Sequence, residues 1–400
     1  MSHGLIGLGA MGANLARNIQ KNDKLHVYNR SQDKVNALVY ECPNIKGHKT
    51  VLEMLTHMET PRTVITMLPH GEATGDMINI LVRYMSPDDI IVDCSNENHK
   101  TSRMRGSICR EHSIKYLGSG MSGGAMGALN GPALMVGGPR SAYDHNKDFF
   151  KSFCKNVTYM GSGYGDGHYT KMVHNGVEYG MLQGMADVYA YCNQDNDAMS
   201  KIMEHLADTD IDGYITNCGV EVLKKYDIHN IADIAEMNNT GLWCSQLGHE
   251  YRIPTPVMNS AVNARITSKY IKAVETNETN NTGFDTVVAA NALRFVFAAS
   301  ISEGYDLMKP LVIDKELITN AWSHGTIIDC PLIRGNYEKV MDETVEHARA
   351  FVVQCTNAGV PCPSVQAALT QYDFTHQSKT SLNFLMAQRN FFGQHAIKEV

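Results

Sequence analysis

The chain has 400 residues, a length that suits two or three domains of about 150 residues each. Its 35 Lys and Arg against 42 Asp and Glu give a net charge of −7, which argues against nucleic acid or a membrane surface as partner. Hydrophobic residues at 43% and charged residues at 19% exclude wholesale disorder.

No uninterrupted apolar run approaches the roughly 18 residues of a membrane helix. The N-terminus lacks the basic region and small-residue cleavage pattern of a leader, so a cytoplasmic protein is expected. Ten cysteines without a C-x-x-C pair or a Cys/His cluster at zinc spacing read as reduced, mostly buried thiols, and no metal is expected.

Leu5 and Ile6 belong to a short strand-like run, and a helical pattern follows from Met11 to about Gln20. Between them stands Gly7-Leu8-Gly9-Ala10-Met11-Gly12, a G-x-G-x-x-G motif in a strand–turn–helix context. The first glycine permits the tight turn, the second lets backbone approach a pyrophosphate, and the third lets helix and strand pack closely. The helix N-terminus presents free N–H groups to the anion. This is a dinucleotide-binding signature. Leu25 to Tyr28 reads as the second strand, and Asn29-Arg30-Ser31 follows it. A carboxylate there would bind the ribose hydroxyls of NAD, whereas Arg30 suits the 2′-phosphate of NADP.

Val64 to Leu68 and Ile90 to Val92 are further short strands. Strands alternating with helices predict a parallel, doubly wound sheet. Leu68-Pro69-His70 forms the loop after one strand, and Asp93-Cys94-Ser95-Asn96 lies at the carboxyl edge, where open α/β sheets bind ligands. The glycine-rich run Gly118 to Gly124 fits either a cradle for carboxylate or hydroxyl groups or a mobile loop. Gly161 to Gly167 reads as a linker or a tight loop. Beyond it, Tyr169–Cys192, Ala198–Leu206, Thr216–Lys225, Val257–Val274 and Val287–Met308 have helical patterns, and Asn277 to Gly283 reads as a polar loop. The expected organisation is a Rossmann-type α/β domain at 1–165, a mainly α-helical domain at 166–375, and a tail at 376–400 with few apolar anchors, lying on another surface.

Lys171-Met172-Val173-His174-Asn175-Gly176-Val177-Glu178-Tyr179 is the most informative segment. On a helix Lys171, His174, Asn175 and Glu178 share one face. That face carries an amine, an imidazole, an amide and a carboxylate, while Met172, Val173 and Val177 turn toward a core. A solvated face with a Lys–Glu pair fits the spacing too. The flanking glycines at 176 and 180 suggest close approach by another element.

The fingerprint, Asn29-Arg30-Ser31, Gly120-Met121-Ser122-Gly123-Gly124, Lys171 to Tyr179, Thr240-Gly241-Leu242-Trp243, Ala264-Arg265 and Ala387-Gln388-Arg389-Asn390-Phe391-Phe392-Gly393-Gln394-His395 together resemble the 6-phosphogluconate dehydrogenase family over nearly the whole chain. The resemblance implies a decarboxylating oxidoreductase of the pentose phosphate pathway and gluconate utilisation. It would use NADP to convert 6-phosphogluconate to ribulose 5-phosphate and CO2 without a metal. It implies Lys171 as base and Glu178 as acid. Gly7 to Gly12, Asn29 to Ser31, Leu68 to His70 and Asn96 would hold the cofactor. Asn96, Ser122, Gly123, Gly124, His174, Asn175, Tyr179, Thr240 and Arg265 would hold the substrate. Arg389 and His395 would reach the phosphate from a partner's tail, which implies a homodimer with tail exchange.

Two alternatives share parts of this pattern. A β-hydroxyacid dehydrogenase acting on a small non-phosphorylated acid has the fingerprint and the lysine, but not the tail. A catalytically silent NADP-binding homologue is at odds with an intact Lys171, His174, Asn175 and Glu178. The chain departs from the family at Asn238, where a lysine is usual. It also lacks the usual basic residues around Trp322-Ser323-His324-Gly325 and is trimmed around Lys269 to Phe284 and Ile313 to Ile328.

Overall fold

The first apolar run forms strand β1 (Ser2–Ile6) and the motif turns into helix α1 (Ala10–Ile19) in the computed structural model, which describes residues 2–270 and 283–398. The chain continues as β2 (Leu25–Tyr28), α2 (Gln32–Glu41), β3 (Ile45–His48), α3 (Val51–Thr56), β4 (Arg62–Thr66), α4 (Glu72–Tyr84), β5 (Ile90–Asp93) and α5 (His99–Glu111). Then come β6 (Lys115–Ser122), α6 (Gly124–Asn130), β7 (Ala133–Gly137), α7 (Arg140–Phe153) and β8 (Asn156–Gly161). The sheet order is β3-β2-β1-β4-β5-β6-β7-β8.

The expectation of a parallel sheet holds through β6 and needs correction beyond it. β7 runs antiparallel to β6, and β8 is parallel to β7. The connection of residues 123–132 is too short for a parallel crossover, which takes about a dozen residues or more. The glycine-rich run is not a mobile loop either: Gly118, Gly120 and Ser122 lie in buried β6.

Helices follow. α8 (Asp166–Tyr191) is the longest, then α9 (Asn196–Leu206), α10 (Tyr214–Lys225), α11 (Asn239–Tyr251), α12 (Pro256–Ser268) and α13 (Thr286–Met308). Four more follow among the described residues: α14 (Lys315–Trp322), α15 (Pro331–Arg334), α16 (Tyr337–Ala358) and α17 (Pro363–Thr375). α12 ends at Ser268, short of the expected Val274. The expected polar loop from Asn277 lies outside the described residues, save Gly283. α13 with residues 309–311 is long and apolar enough by length and composition to cross a membrane, but its apolar run is interrupted at Asn291 and Arg294 and most of it is buried inside the protein. Phe295, Val296 and Phe297 on α13 share one core with Val173 and Val177 on α8 and Phe351 on α16.

The tail forms α18 (Leu382–Gly393), in which no residue is buried. It is not poor in apolar residues, as expected, but leaves them uncovered: Phe384 is 66% exposed, Phe391 92% and Phe392 75%.

Candidate active site

The fingerprint turn is held by close backbone packing. Gly7 adopts φ +100°, and a Cβ there would stand 2.3 Å from the Met67 carbonyl oxygen. A Cβ at Gly12 would stand 1.9 Å from the Gly7 carbonyl oxygen, so α1 seats directly on the turn. At Gly9 a Cβ would meet nothing within 4 Å, which leaves open space in front of the α1 N-terminus. The Leu8 N–H donates to Asn29 Oδ1 at 2.9 Å and ties the turn to the end of β2. Arg30 and Ser31 are exposed beside it, and no ion pair occupies Arg30 among the described residues. These residues fit a dinucleotide: a glycine cradle, a helix N-terminus and a free guanidinium where a 2′-phosphate would fall.

β4 ends at Thr66, so Leu68, Pro69 and His70 form a loop at the carboxyl edge of the sheet. Its end is gripped from both sides. The Gly71 N–H donates to Glu97 Oε2 at 2.9 Å, and Arg105 Nη2 donates to the Gly71 carbonyl at 2.7 Å. Arg105 Nη1 lies 2.7 Å from Glu97 Oε2 and 3.4 Å from Asp93 Oδ2, all three side chains being buried. Burial alone would raise the Asp93 pKa. His168 beside it and hydrogen bonds from Ser95 and Tyr116 outweigh that and hold the carboxyl below its ordinary range. This network ties the 68–71 loop to the Cys94–Asn96 segment, whose Asn96 is exposed at the sheet edge.

α8 crosses β6 at the glycines. A Cβ on Gly120 would stand 2.1 Å from Lys171 Cβ, so the lysine stem lies directly on the strand. Gly176 faces Cys244 and Met258, and Gly180 faces Ser300 and Val257, so the close approach there is by α11, α12 and α13. The polar face of α8 is therefore enclosed. Lys171 and His174 are buried, and the Glu178 side chain is 19% exposed.

Lys171 Nζ donates to Asn175 Oδ1 at 2.6 Å and lies 3.1 Å from His174 Nδ1. His174 Nε2 is 3.0 Å from Ser122 Oγ. With Nδ1 accepting from the ammonium, Nε2–H donates to the serine. Burial first, then the Lys171 charge, pushes His174 well below its ordinary value, so it is neutral. Burial brings Lys171 down to about 8, against the opposing pull of Glu178. Burial also raises Glu178, although Lys171 and Arg265 pull the other way. His174 Nδ1 is 3.8 Å from Glu178 Oε2, so base and acid candidates share one enclosed face.

α11 and α12 supply the facing wall. Asn175 Nδ2 donates to Thr240 Oγ1 at 3.2 Å. Asn238 caps α11, accepting from the Thr240 N–H and hydroxyl, and its carbonyl accepts from the Tyr179 hydroxyl. The Arg265 guanidinium lies 3.5 Å over the Tyr179 ring, and its buried Nη1 has no hydrogen-bond partner. A buried guanidinium nitrogen left without an acceptor is ready for an anionic ligand. Ser122 leads into Gly123 and Gly124, both at positive φ, which turn the chain from β6 into α6.

Residues 2–161 match the NAD binding domain of 6-phosphogluconate dehydrogenase, and residues 167–334 and 315–400 match the C-terminal domain of the same enzyme. The chain belongs to the 6-phosphogluconate dehydrogenase family. It is 28% identical over 449 aligned positions to the NADP(+)-dependent, decarboxylating 6-phosphogluconate dehydrogenase of Bacillus subtilis, covering 98% of this chain and 95% of the relative. The decarboxylating enzyme of Lactococcus lactis is likewise 28% identical, with the same coverage. Among solved structures, Plasmodium falciparum 6-phosphogluconate dehydrogenase, studied in its apo form and with its cofactor NADP+ and its substrate 6-phosphogluconate, superposes with a TM-score of 0.88. It is 27% identical, covering 100% of this chain and 98% of that one.

Within this family member, one chain brings together Lys171, His174, Asn175, Glu178, Tyr179, Ser122, Thr240 and Arg265. It does not bring Arg389 or His395 to them. Among the described residues Arg389 meets only Met386 Sδ, at 3.8 Å, and Arg389 and His395 are both exposed. Sequence reasoning missed Glu97 and Arg105. Eight positions apart across a loop and a helix, they leave no periodic signal. It also missed that His70 touches α11.

Proposed function

We propose that this protein is an NADP-dependent oxidoreductase that converts 6-phosphogluconate to ribulose 5-phosphate and CO2. The observation that carries this reading is the enclosed Lys171–Asn175–Thr240 chain, with Glu178 on the same helix face and the unpartnered Arg265 Nη1 beside it. Bound NADP, held by Gly7 to Gly12, Asn29 to Ser31, Leu68 to His70 and Asn96, supplies the hydride acceptor.

The chain's own residues manage protons and charge. Lys171, lowered to about 8 by burial, takes the C3 hydroxyl proton when neutral. Protonated, it donates to the oxygen that becomes negative as CO2 leaves, a role that needs no metal. Glu178, whose carboxyl burial raises above its ordinary range, is the acid that gives a proton to the enediol carbon. Asn96, Ser122, Gly123, Gly124, His174, Asn175 and Tyr179 orient the sugar acid. Thr240 and Arg265 bind its phosphate.

The domain division at 165/166, the tail at 376–400 and a homodimer belong to the same proposal. The uncovered Phe384, Phe391 and Phe392 of α18 support a tail that packs on a second subunit and delivers Arg389 and His395 there. A cytoplasmic location accords with a soluble metabolic enzyme of this family.

The direct test is NADPH formation with CO2 release from 6-phosphogluconate by purified protein, with 3-hydroxyisobutyrate and NAD as comparisons. Absence of turnover with 6-phosphogluconate rejects the reading. Arg30→Ala should raise the KM for NADP about tenfold or more while leaving NAD little changed, because one charge-assisted pair is lost. An unchanged NADP/NAD ratio in steady-state kinetics excludes Arg30 from the 2′-phosphate site.

Asn238→Lys should lower the KM for 6-phosphogluconate about tenfold by adding a cation near Thr240. It should also cost about 1 kcal/mol of stability, because Asn238 caps α11. A KM equal to that of the parent shows that position 238 does not face the phosphate.

A further inference from the structure

The loop after β4 does more than border the cofactor cleft. Its His70 reaches out of the dinucleotide-binding part and meets α11. The His70 ring stands edge-on to Trp243 with centroids 5.4 Å apart, at 81°. Asn239 Nδ2 donates to His70 Nε2 at 3.3 Å. Asn239 is the first residue of α11, and the next is Thr240. From Thr240 the contacts run through Asn175 to Lys171 Nζ without a break. On its other side the loop is anchored at Gly71 by the buried Glu97–Arg105 pair. One short segment thus bears on the cofactor cleft, a rigid buried clamp, and the helix turn that sets the substrate wall.

We propose that His70 is a positioning residue that couples occupancy of the cofactor loop to the order of the substrate side, and that it does so through Asn239 and Trp243. This rests on the functional reading above. A ligand that orders residues 68–71 fixes the first turn of α11, and with it Thr240 and Asn175. A second ligand then meets a wall already ordered, and the effect is reciprocal. Without the His70 contacts, the two ligands bind independently.

The test is NADPH titration by fluorescence, with and without saturating 6-phosphogluconate; the reduced nucleotide prevents turnover. The ratio of the two Kd values reads the coupling directly. Wild type should show a ratio of about 5 or more, and His70→Ala and Asn239→Ala should each bring it within about twofold of one. His70→Gln keeps an acceptor for Asn239 and should retain most of the coupling. Melting curves of the variants should stay close to wild type, since Asn239 is exposed and His70 is only half-buried. His70→Ala with the wild-type ratio overturns the proposal. So does a wild-type enzyme that turns over 6-phosphogluconate yet shows a ratio of one. Wild type without turnover or binding of 6-phosphogluconate instead removes the functional reading, and the coupling falls with it.

Discussion

Lys171→Ala lowers kcat by about 100- to 10,000-fold, the range of a positioned general acid–base group, while NADP still binds. The loss should sit at the upper end, because the proposed mechanism uses the same amine for both the oxidation and the decarboxylation. The cofactor cradle at Gly7 to Gly12 shares no hydrogen bond with Lys171, so its affinity should change little. Wild-type kcat/KM should rise with pH through about 8, as the buried amine loses its proton. This limb should vanish from the residual activity of the variant. Retained turnover in Lys171→Ala, measured as NADPH formation, would remove the lysine from its assigned role.

Arg105→Met has the largest expected effect on stability. Arg105 lies between Glu97 and Asp93, with all three side chains buried. Removing the guanidinium leaves two buried carboxylates without their cation, a change that costs about 3–5 kcal/mol. The Gly71 carbonyl loses its donor as well. The urea midpoint should fall accordingly, and NADP affinity should fall with it, because the 68–71 loop loses its clamp. A loss below about 1 kcal/mol would place Arg105 among weak surface pairs and contradict its burial. Glu97→Gln with Arg105→Met should be less damaging than the single change, since one stranded charge is gone.

Much of the fold and site was legible along the chain, because the signals were local. The fingerprint stands in one turn, where sterics at Gly7 and Gly12 leave no room for a side chain. The four polar residues of α8 share a face because a helix repeats every 3.6 residues, and they do meet one another. The glycines of β6 were visible but ambiguous. Only the crossing of α8 at Gly120 explains them, since free space and a packed lysine stem call for the same residue. α16 was passed over in the sequence, although it is one of the longest helices. Its apolar residues at Val340, Val345, Ala348 and Phe351 are spaced by polar ones and gain meaning only against α13.

The amino-acid order by itself determined the elements and the chemistry each could carry: a phosphate-binding turn, an arginine in place of a carboxylate after β2, and an amine and a carboxylate two turns apart. Tertiary structure decided their conditions. Burial between β6, α11 and α12 lowers Lys171 and raises Glu178, and no local pattern encodes burial. It also decided the reversal of β7, the Arg105 clamp and the reach of His70 to α11. Each of these joins residues far apart in the chain. Such pairings arise from the packing of whole elements, which a local repeat does not report.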